Sequence, residues 1–159
     1  MQQALVVYTS KTGFTQRFAL SIAQALHCEL IEMQFITTAD LEHRSLVIYG
    51  GHLIGDKVHG FKAFYQRFHK ALPHHLIVFG SGVSRRDLVN DRKVTELQLA
   101  DKQQVRQFYY LQGRPKLNQM SFFHRLRASH ALKHRGSHDC PQIQEAIRPL
   151  ISDATHLLN

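Results

Sequence analysis

An apolar run, a hydroxyl-rich turn and an amphipathic segment follow one another over residues 4–26, and this order constrains the fold more than any other feature. The run at 4–8 is typical of a buried strand, and residues 13–27 carry apolar side chains at helical spacing. A strand that turns directly into a helix aims the unpaired N–H groups and partial positive charge of the helix at the turn. The segment therefore predicts an anion site, of the kind that holds a phosphate.

The turn itself indicates which phosphate it would hold. It has neither the Gly-x-x-x-x-Gly-Lys-Ser/Thr pattern of a nucleotide loop nor the Gly-x-Gly-x-x-Gly of a dinucleotide fold. A hydroxyl-lined loop with one glycine suits a terminal monophosphate. The alternative is that Ser10 or Thr12 simply caps the helix. The residues of the predicted site are Thr9, Ser10, Lys11, Thr12, Gly13, Phe14 and Thr15.

Length and composition favour one domain over residues 1–159, large enough to bury a core without disulfides. The apolar runs are too short to span a bilayer, and the early first strand leaves no room for a signal peptide. Cys28 and Cys140 lack Cys-x-x-Cys spacing and are interpreted as structural thiols. We therefore expect a cytoplasmic protein.

The formal net charge of +8 is high for a small α/β domain, and it is unevenly spread. Residues 114–136 form a basic insert before the last helix; positions 114–135 hold six Lys or Arg and no acid. The insert predicts either contact with an anionic substrate or membrane surface, or a helix packed on the body with a solvated basic face. The candidate contact residues are Arg114, Lys116, Arg125 and Arg127.

Apolar runs alternate with helical segments along the rest of the chain, which predicts an α/β fold with a five-stranded parallel sheet between two helical layers. Loops 9–15, 50–60 and 80–86 would then meet at the carboxyl edge, where such sheets bind ligands. The predicted strands are 4–8, 29–34, 45–49, 75–79 and 105–111, and the predicted helices are 13–27, 61–71, 91–104 and 141–158.

The pattern Ser10-x-Thr12-Gly13-x-Thr15 after the first strand resembles the phosphate loop of the flavodoxin family, which holds the phosphate of FMN. The resemblance implies a flavodoxin-like three-layer sandwich with FMN as cofactor. It also implies that the two later loops contact the flavin ring. Arg85 and Arg86 lie at the end of the second of these loops, residues 80–86. They could place a positive charge near the flavin ring, or they could simply belong to a solvated basic turn. The implied ring-side residues are Gly51, His52, Leu53, Ile54, Gly55, Gly80, Ser81, Gly82 and Val83.

Several features together are similar to the bacterial flavodoxin-type, menaquinone-dependent protoporphyrinogen IX dehydrogenases. They are the phosphate loop, the glycines after the third strand, the strand end at 109–114 and the basic insert. The resemblance implies an enzyme of haem (porphyrin) biosynthesis that passes electrons from an anionic tetrapyrrole through FMN to a quinone. It identifies no catalytic residue. The chain departs from flavodoxins in lacking tryptophan, and in having no tyrosine in either ring-side loop.

Two other functions stay open. The chain could be an electron-transfer protein like flavodoxin, although such carriers are usually acidic. It could also have a decayed flavin site and act through its basic surface on lipid or, by general attraction to phosphates, on nucleic acid. We expect no specific nucleic-acid partner, since no reading motif is present. His130 and His134 have metal-ligand spacing without a third ligand, so no metal is expected. Peripheral contact with the inner face of the membrane is a further expectation.

Overall fold

The computed structural model describes residues 3–94, 105–113 and 141–159. The whole basic insert, residues 114–136, lies outside these ranges. So do its candidate contact residues Arg114, Lys116, Arg125 and Arg127, and also His130, His134 and Cys140. Their predicted roles therefore stay predictions.

A parallel sheet forms the middle layer of the fold. Its central strands are apolar along their length, and they are buried on both faces of the sheet. Its strands lie in the order β2-β1-β3-β5-β6, with a short β4 paired antiparallel to β3. Apart from β4, this is the flavodoxin-like order. It confirms the predicted α/β class and parallel sheet. The strands are β1 (Ala4–Tyr8), β2 (Glu29–Glu32), β3 (Leu46–Ile54), β4 (Lys57–Val58), β5 (His75–Gly82) and β6 (Val105–Gln112).

Helices cover both faces of the sheet. The helices are α1 (Phe14–Ala25), α2 (Thr38–Leu41), α3 (Phe61–Phe68), α4 (Asp91–Val94) and α5 (Pro141–Leu158). Alternate residues of β1 point into two different cores, as a strand with period two requires: Val6 packs under α1 and α5, and Val7 under α2 and α3. Among the described helices none is long and apolar enough to cross a membrane.

The third strand is longer than predicted, which changes the shape of the second ligand-side loop. Pairing with β5 continues as far as His52 opposite Ser81, so the strand does not end at residue 49. It then turns back at Gly55, where φ is 58°, and Leu53 pairs with Val58. Residues 50–60 are therefore largely a hairpin that projects from the sheet.

Other predicted boundaries differ as well, and one cannot be compared over its whole length. The predicted strand at 29–34 ends at Glu32 and continues as a 3-10 turn, Met33–Phe35. The predicted helix at 61–71 ends at Phe68, after which the chain makes turns toward Pro73. Within the predicted helix 91–104, residues Asp91–Val94 are helical and the remainder lies outside the described residues.

Candidate functional site

The carboxyl ends of β1, β3 and β5 bring the three predicted loops to one edge of the sheet. Tyr8 pairs with Gly50, and Gly50 pairs with Phe79; β1 ends at this level, whereas β3 and β5 continue beyond it on the same side of the sheet. The backbone N–H of Thr9 donates to the carbonyl of Gly50 at 3.0 Å, which joins the first loop to β3. The topology therefore brings together the segments that the sequence predicted as one site.

The first loop, residues 9–13, folds on itself before α1 begins. Gly13 occupies the N-cap position with φ of 85°, a left-handed conformation that favours glycine. Its backbone N–H donates to Ser10 Oγ at 3.0 Å. The N-cap residue Gly13 has no side chain of its own to cap α1, and the Ser10 hydroxyl accepts the N–H of that residue, in keeping with the capping alternative for Ser10. With no acid in its first turn either, this end of α1 keeps its positive potential for an anion.

Two buried hydroxyls connect the first loop to the ring-side loops. Thr15 Oγ1 and Ser81 Oγ lie 2.7 Å apart and share a hydrogen bond. Thr15 is 2% exposed and Ser81 is fully buried. By contrast, Lys11 and Thr12 point outward and are exposed. Of the seven predicted phosphate-loop residues, three are thus buried, two are half-buried and two are exposed: Ser10, Gly13 and Thr15; Thr9 and Phe14; Lys11 and Thr12.

A cavity of about 290 Å³ lies between the β3–β4 hairpin and the chain that follows β5. That volume is near the lower end of the range for ligand pockets. Its lining residues come from the hairpin, from residues 82–90 and from β6: His52, Leu53, Gly55, Asp56, Gly82, Val83, Ser84, Leu88, Val89, Asn90 and Tyr110.

Five of the nine predicted ring-side residues line this cavity: His52, Leu53, Gly55, Gly82 and Val83. Three others, Gly51, Gly80 and Ser81, are buried behind the cavity wall within β3 and β5. Ile54 lies at the tip of the hairpin and is 55% exposed. The structure thus places the predicted set in one region but gives its members different surroundings.

Two of the predicted glycines are required by contacts within the protein. A Cβ at Gly51 would lie 2.3 Å from the carbonyl oxygen of His59, and one at Gly82 would lie 2.7 Å from the Tyr110 hydroxyl. The His59 carbonyl is itself held by the Tyr49 hydroxyl at 2.8 Å. Gly51 therefore allows the two strands of the hairpin to pack closely, and Gly82 allows β5 to pack closely against Tyr110 of β6. Both requirements come from the protein itself, without a ligand.

Tyr110 is the most informative residue that the sequence reasoning missed, because it brings an aromatic ring to the cavity from β6. Its hydroxyl donates to the carbonyl of Ser84 at 2.8 Å, which fixes the turn after β5. Burial raises the pKa of Tyr110, and the Arg86 guanidinium, 5.9 Å from its ring, offsets part of this effect. The strand-end motif at 109–114 was the available signal.

The two arginines after β5 are paired with acids. Arg85 binds Asp87 through two hydrogen bonds, and Arg86 binds Asp91 at 2.5 Å. Leu88 and Val89 reach the cavity because a 3-10 turn, Arg86–Leu88, returns the chain toward it. Across the parts of the chain that the structure describes, no three metal-ligating side chains come together.

The fold resembles solved flavodoxins. Flavodoxin 1 from Bacillus cereus is 21% identical with a TM-score of 0.50, over 83% of this chain and 98% of that one. A short-chain flavodoxin associated with a bacterial microcompartment is 17% identical with a TM-score of 0.50, over 81% and 100%. At these identities the likeness shows the fold alone. No curated protein matches the sequence significantly.

A family model described as a flavodoxin domain matches residues 5–139. The match points to FMN as the cofactor and to electron transfer as the activity. The residues present fit FMN: hydroxyls and backbone N–H groups at the start of α1 suit its phosphate, and the neighbouring cavity combines apolar side chains and the Tyr110 ring with the polar His52, Asp56, Ser84 and Asn90. By this match over most of its length, the chain belongs to the flavodoxin-domain family.

Proposed function

We propose that this protein is an FMN-dependent oxidoreductase of the protoporphyrinogen dehydrogenase type. It would take hydrogen from an anionic tetrapyrrole and pass the electrons to a quinone. The observation that carries the proposal is the apolar rim of the cavity. Of the four large apolar side chains exposed in the described ranges, three lie at or beside it: Ile54 at 55%, Val83 at 54% and Leu88 at 72%.

Such a rim suits a flat, largely apolar reactant better than a small polar one. Scattered apolar residues are ordinary on a surface, but a cluster at the mouth of a cavity marks a binding surface. Tetrapyrroles and quinones both present broad apolar faces. The rim therefore supports the idea that each reactant in turn contacts the same end of the cofactor.

The protein's own residues would bind and orient the cofactor. The loop at residues 9–15 would hold the phosphate, and Leu53, Val83 and Tyr110 would exclude water from the ring. When bound, FMN supplies the hydride and single-electron chemistry. Besides the Tyr110 phenol, His52 and Asp56 are the ionisable side chains of the wall, and Asp56 is paired with Lys93 at 3.1 Å. His52 is therefore the better placed of the two to exchange a proton.

The charge of the described surface supports an anionic reactant. Residues 57–86 contain six Lys or Arg and no acid, so the basic insert is not the only acid-free stretch. On and just after α3, Lys62, Arg67 and Lys70 are exposed, and none forms an ion pair with another described residue. The propionates of a tetrapyrrole or anionic lipid headgroups would both be attracted to such a surface. We include peripheral membrane contact in the proposal on this ground.

The second candidate is a flavodoxin-like electron carrier, and the family match favours it equally. A carrier would exchange electrons with a protein partner through the same rim and would have no tetrapyrrole substrate. Its partner would need an acidic docking surface, since the net charge here is +8.

The first test is titration of the purified protein with FMN, riboflavin and FAD, followed by flavin fluorescence. We expect micromolar or tighter binding of FMN and weaker binding of riboflavin, which lacks the phosphate. The FMN-loaded protein is then mixed anaerobically with protoporphyrinogen IX, followed by a soluble quinone. Bleaching of the flavin by the tetrapyrrole and recovery with the quinone would support the enzyme.

Flavin that is bound but not bleached by the tetrapyrrole would favour the carrier. Coproporphyrinogen, with four carboxylates, is the matched comparator, because it tests whether the reaction depends on the apolar side chains of the substrate. Failure to bind any flavin would overturn both candidates.

A further inference from the structure

Ser81 has an unusual position for a hydroxyl. It lies in β5 between β3 and β6, opposite His52 on one side and Leu111 on the other, and it is fully buried. Its side chain does not line the cavity. The hydrogen bond recorded for its hydroxyl is the one with Thr15 Oγ1, at 2.7 Å. A buried hydroxyl is costly unless it has such a partner.

The proton in this pair can point in only one direction at a time. A serine or threonine hydroxyl donates one hydrogen bond and accepts others. If Ser81 donates to Thr15, then the hydrogen of Thr15 is free to point elsewhere. A phosphate oxygen accepts hydrogen bonds and has none to donate when fully ionised. A phosphate at this loop would therefore select the arrangement in which Ser81 donates to Thr15 and Thr15 donates to the phosphate.

We propose that Ser81 is a positioning residue that sets the selectivity of this site for phosphorylated flavin. Ser81 touches neither the phosphate nor, by its side chain, the cavity. It acts by fixing the rotamer and the proton direction of Thr15. The inference rests on the FMN site proposed above. It adds that a residue of β5, outside the phosphate loop, contributes to the selectivity of the site for a phosphorylated flavin.

The competing explanation is a structural tie between α1 and β5. A tie would stabilise the fold and would affect every flavin alike. The positioning role makes a different demand, since it concerns only the phosphate. The ratio of the riboflavin dissociation constant to the FMN dissociation constant separates the two explanations.

The experiment measures both dissociation constants for the wild type, Ser81→Ala, Thr15→Val and the double variant. Ser21→Ala is the matched control: Ser21 is another buried serine, 7% exposed, on the body of α1. We expect Ser81→Ala to weaken FMN binding roughly tenfold and riboflavin binding less than twofold. The double variant should bind FMN no worse than Thr15→Val, because Ser81 acts through Thr15. Ser21→Ala should leave the ratio unchanged.

An equal loss for both flavins, or losses that add in the double variant, would overturn the proposal. If Ser81→Ala does not fold, Ser81→Cys keeps the volume with a weaker donor and should lower the same ratio. Inorganic phosphate gives a readout without flavin: it should raise the melting temperature of the wild type more than that of Ser81→Ala. A wild type that binds no flavin would refute the FMN site itself, whereas normal FMN binding by Ser81→Ala would refute only the role of Ser81.

Discussion

The phosphate loop and the ring-side cavity belong to the same sheet edge but are built in opposite ways. In the loop, the hydroxyls of Ser10 and Thr15 are buried and engaged in hydrogen bonds within the protein. At the cavity, the side chain of Leu88 is 72% exposed, and the arginines of the turn are paired with acids rather than free. The buried hydroxyls make one end closed and polar, and the other end is open, with exposed apolar side chains at its rim beside polar ones such as His52 and Asn90.

This difference suggests a division of work. A buried set of fixed donors recognises one terminal group well and rejects ligands that lack it, because unpaired buried hydroxyls are costly. An exposed apolar rim discriminates weakly but leaves the reactive edge accessible to a second molecule. Tight retention of a cofactor and rapid exchange of electrons with a partner require these two properties together.

The contrast between the two regions is tested most directly by a substitution that displaces the β3–β4 hairpin at the cavity while leaving the phosphate loop intact. In Gly51→Ala the new Cβ would lie 2.3 Å from the backbone carbonyl of His59, so the backbone must move. We expect a loss of about 2–3 kcal/mol in the free energy of unfolding, measured by urea denaturation. Riboflavin and FMN binding should weaken by the same factor, since the phosphate loop is unchanged.

Gly55→Ala is the matched control on the same hairpin. Gly55 has φ of 58° but no atom within 4 Å of an added Cβ, so only the left-handed backbone is penalised, by roughly 1–2 kcal/mol. If Gly51→Ala were no more harmful than Gly55→Ala, the close approach of His59 would have no energetic importance, and the hairpin would not be held as described.

The phosphate loop could be predicted from sequence because its signals are local: a strand, a hydroxyl-rich turn and a helix lie within 23 residues. The parallel sheet, though not the order of its strands, followed from apolar runs that are buried on both faces. Much of the cavity could not be predicted. Tyr110 reaches it through the pairing of β5 with β6, whose register shifts between Leu76 and Ile77. The hairpin depends on β3 continuing to pair with β5 beyond its glycines, which no local pattern encodes.

A second test uses pH, because a tyrosine, Tyr110, lies in the wall of the cavity and none lies in the phosphate loop. Burial holds the pKa of Tyr110 above its ordinary value of about 10, so the folded state favours the neutral phenol. The stabilisation is complete below the unfolded pKa and is lost as the pH rises through the folded pKa. The limiting slope for one such group is about 1.4 kcal/mol per pH unit.

Urea unfolding from pH 9 upward should therefore show a steeper loss of stability for the wild type than for Tyr110→Phe. Tyr49 and Tyr109 also have raised pKa values, so Tyr110→Phe should remove only part of the dependence. Parallel curves for the two proteins would show that Tyr110 titrates in the folded state as it does in the unfolded chain.

The smallest effect that we expect concerns the charge of Arg86 beside the cavity and the midpoint potential of bound FMN. Arg86 lies 5.9 Å from the ring of Tyr110 and is neutralised by Asp91, so Asp91→Asn would leave an uncompensated positive charge near the cavity. A cation there favours anionic reduced flavin, and we expect the midpoint potential of bound FMN to rise by on the order of 20 mV, less than a tenfold change for a two-electron couple.

Asp87→Asn is the control, because it frees Arg85, for which the described structure shows no contact with Tyr110. Spectroelectrochemical titration at low and high salt measures both variants. The shift should shrink as salt screens the charge, since exposed groups lose their interaction beyond a Debye length of about 10 Å at 0.1 M. A fall in potential, or equal shifts in both variants, would mean that the charge balance of this turn does not reach the flavin.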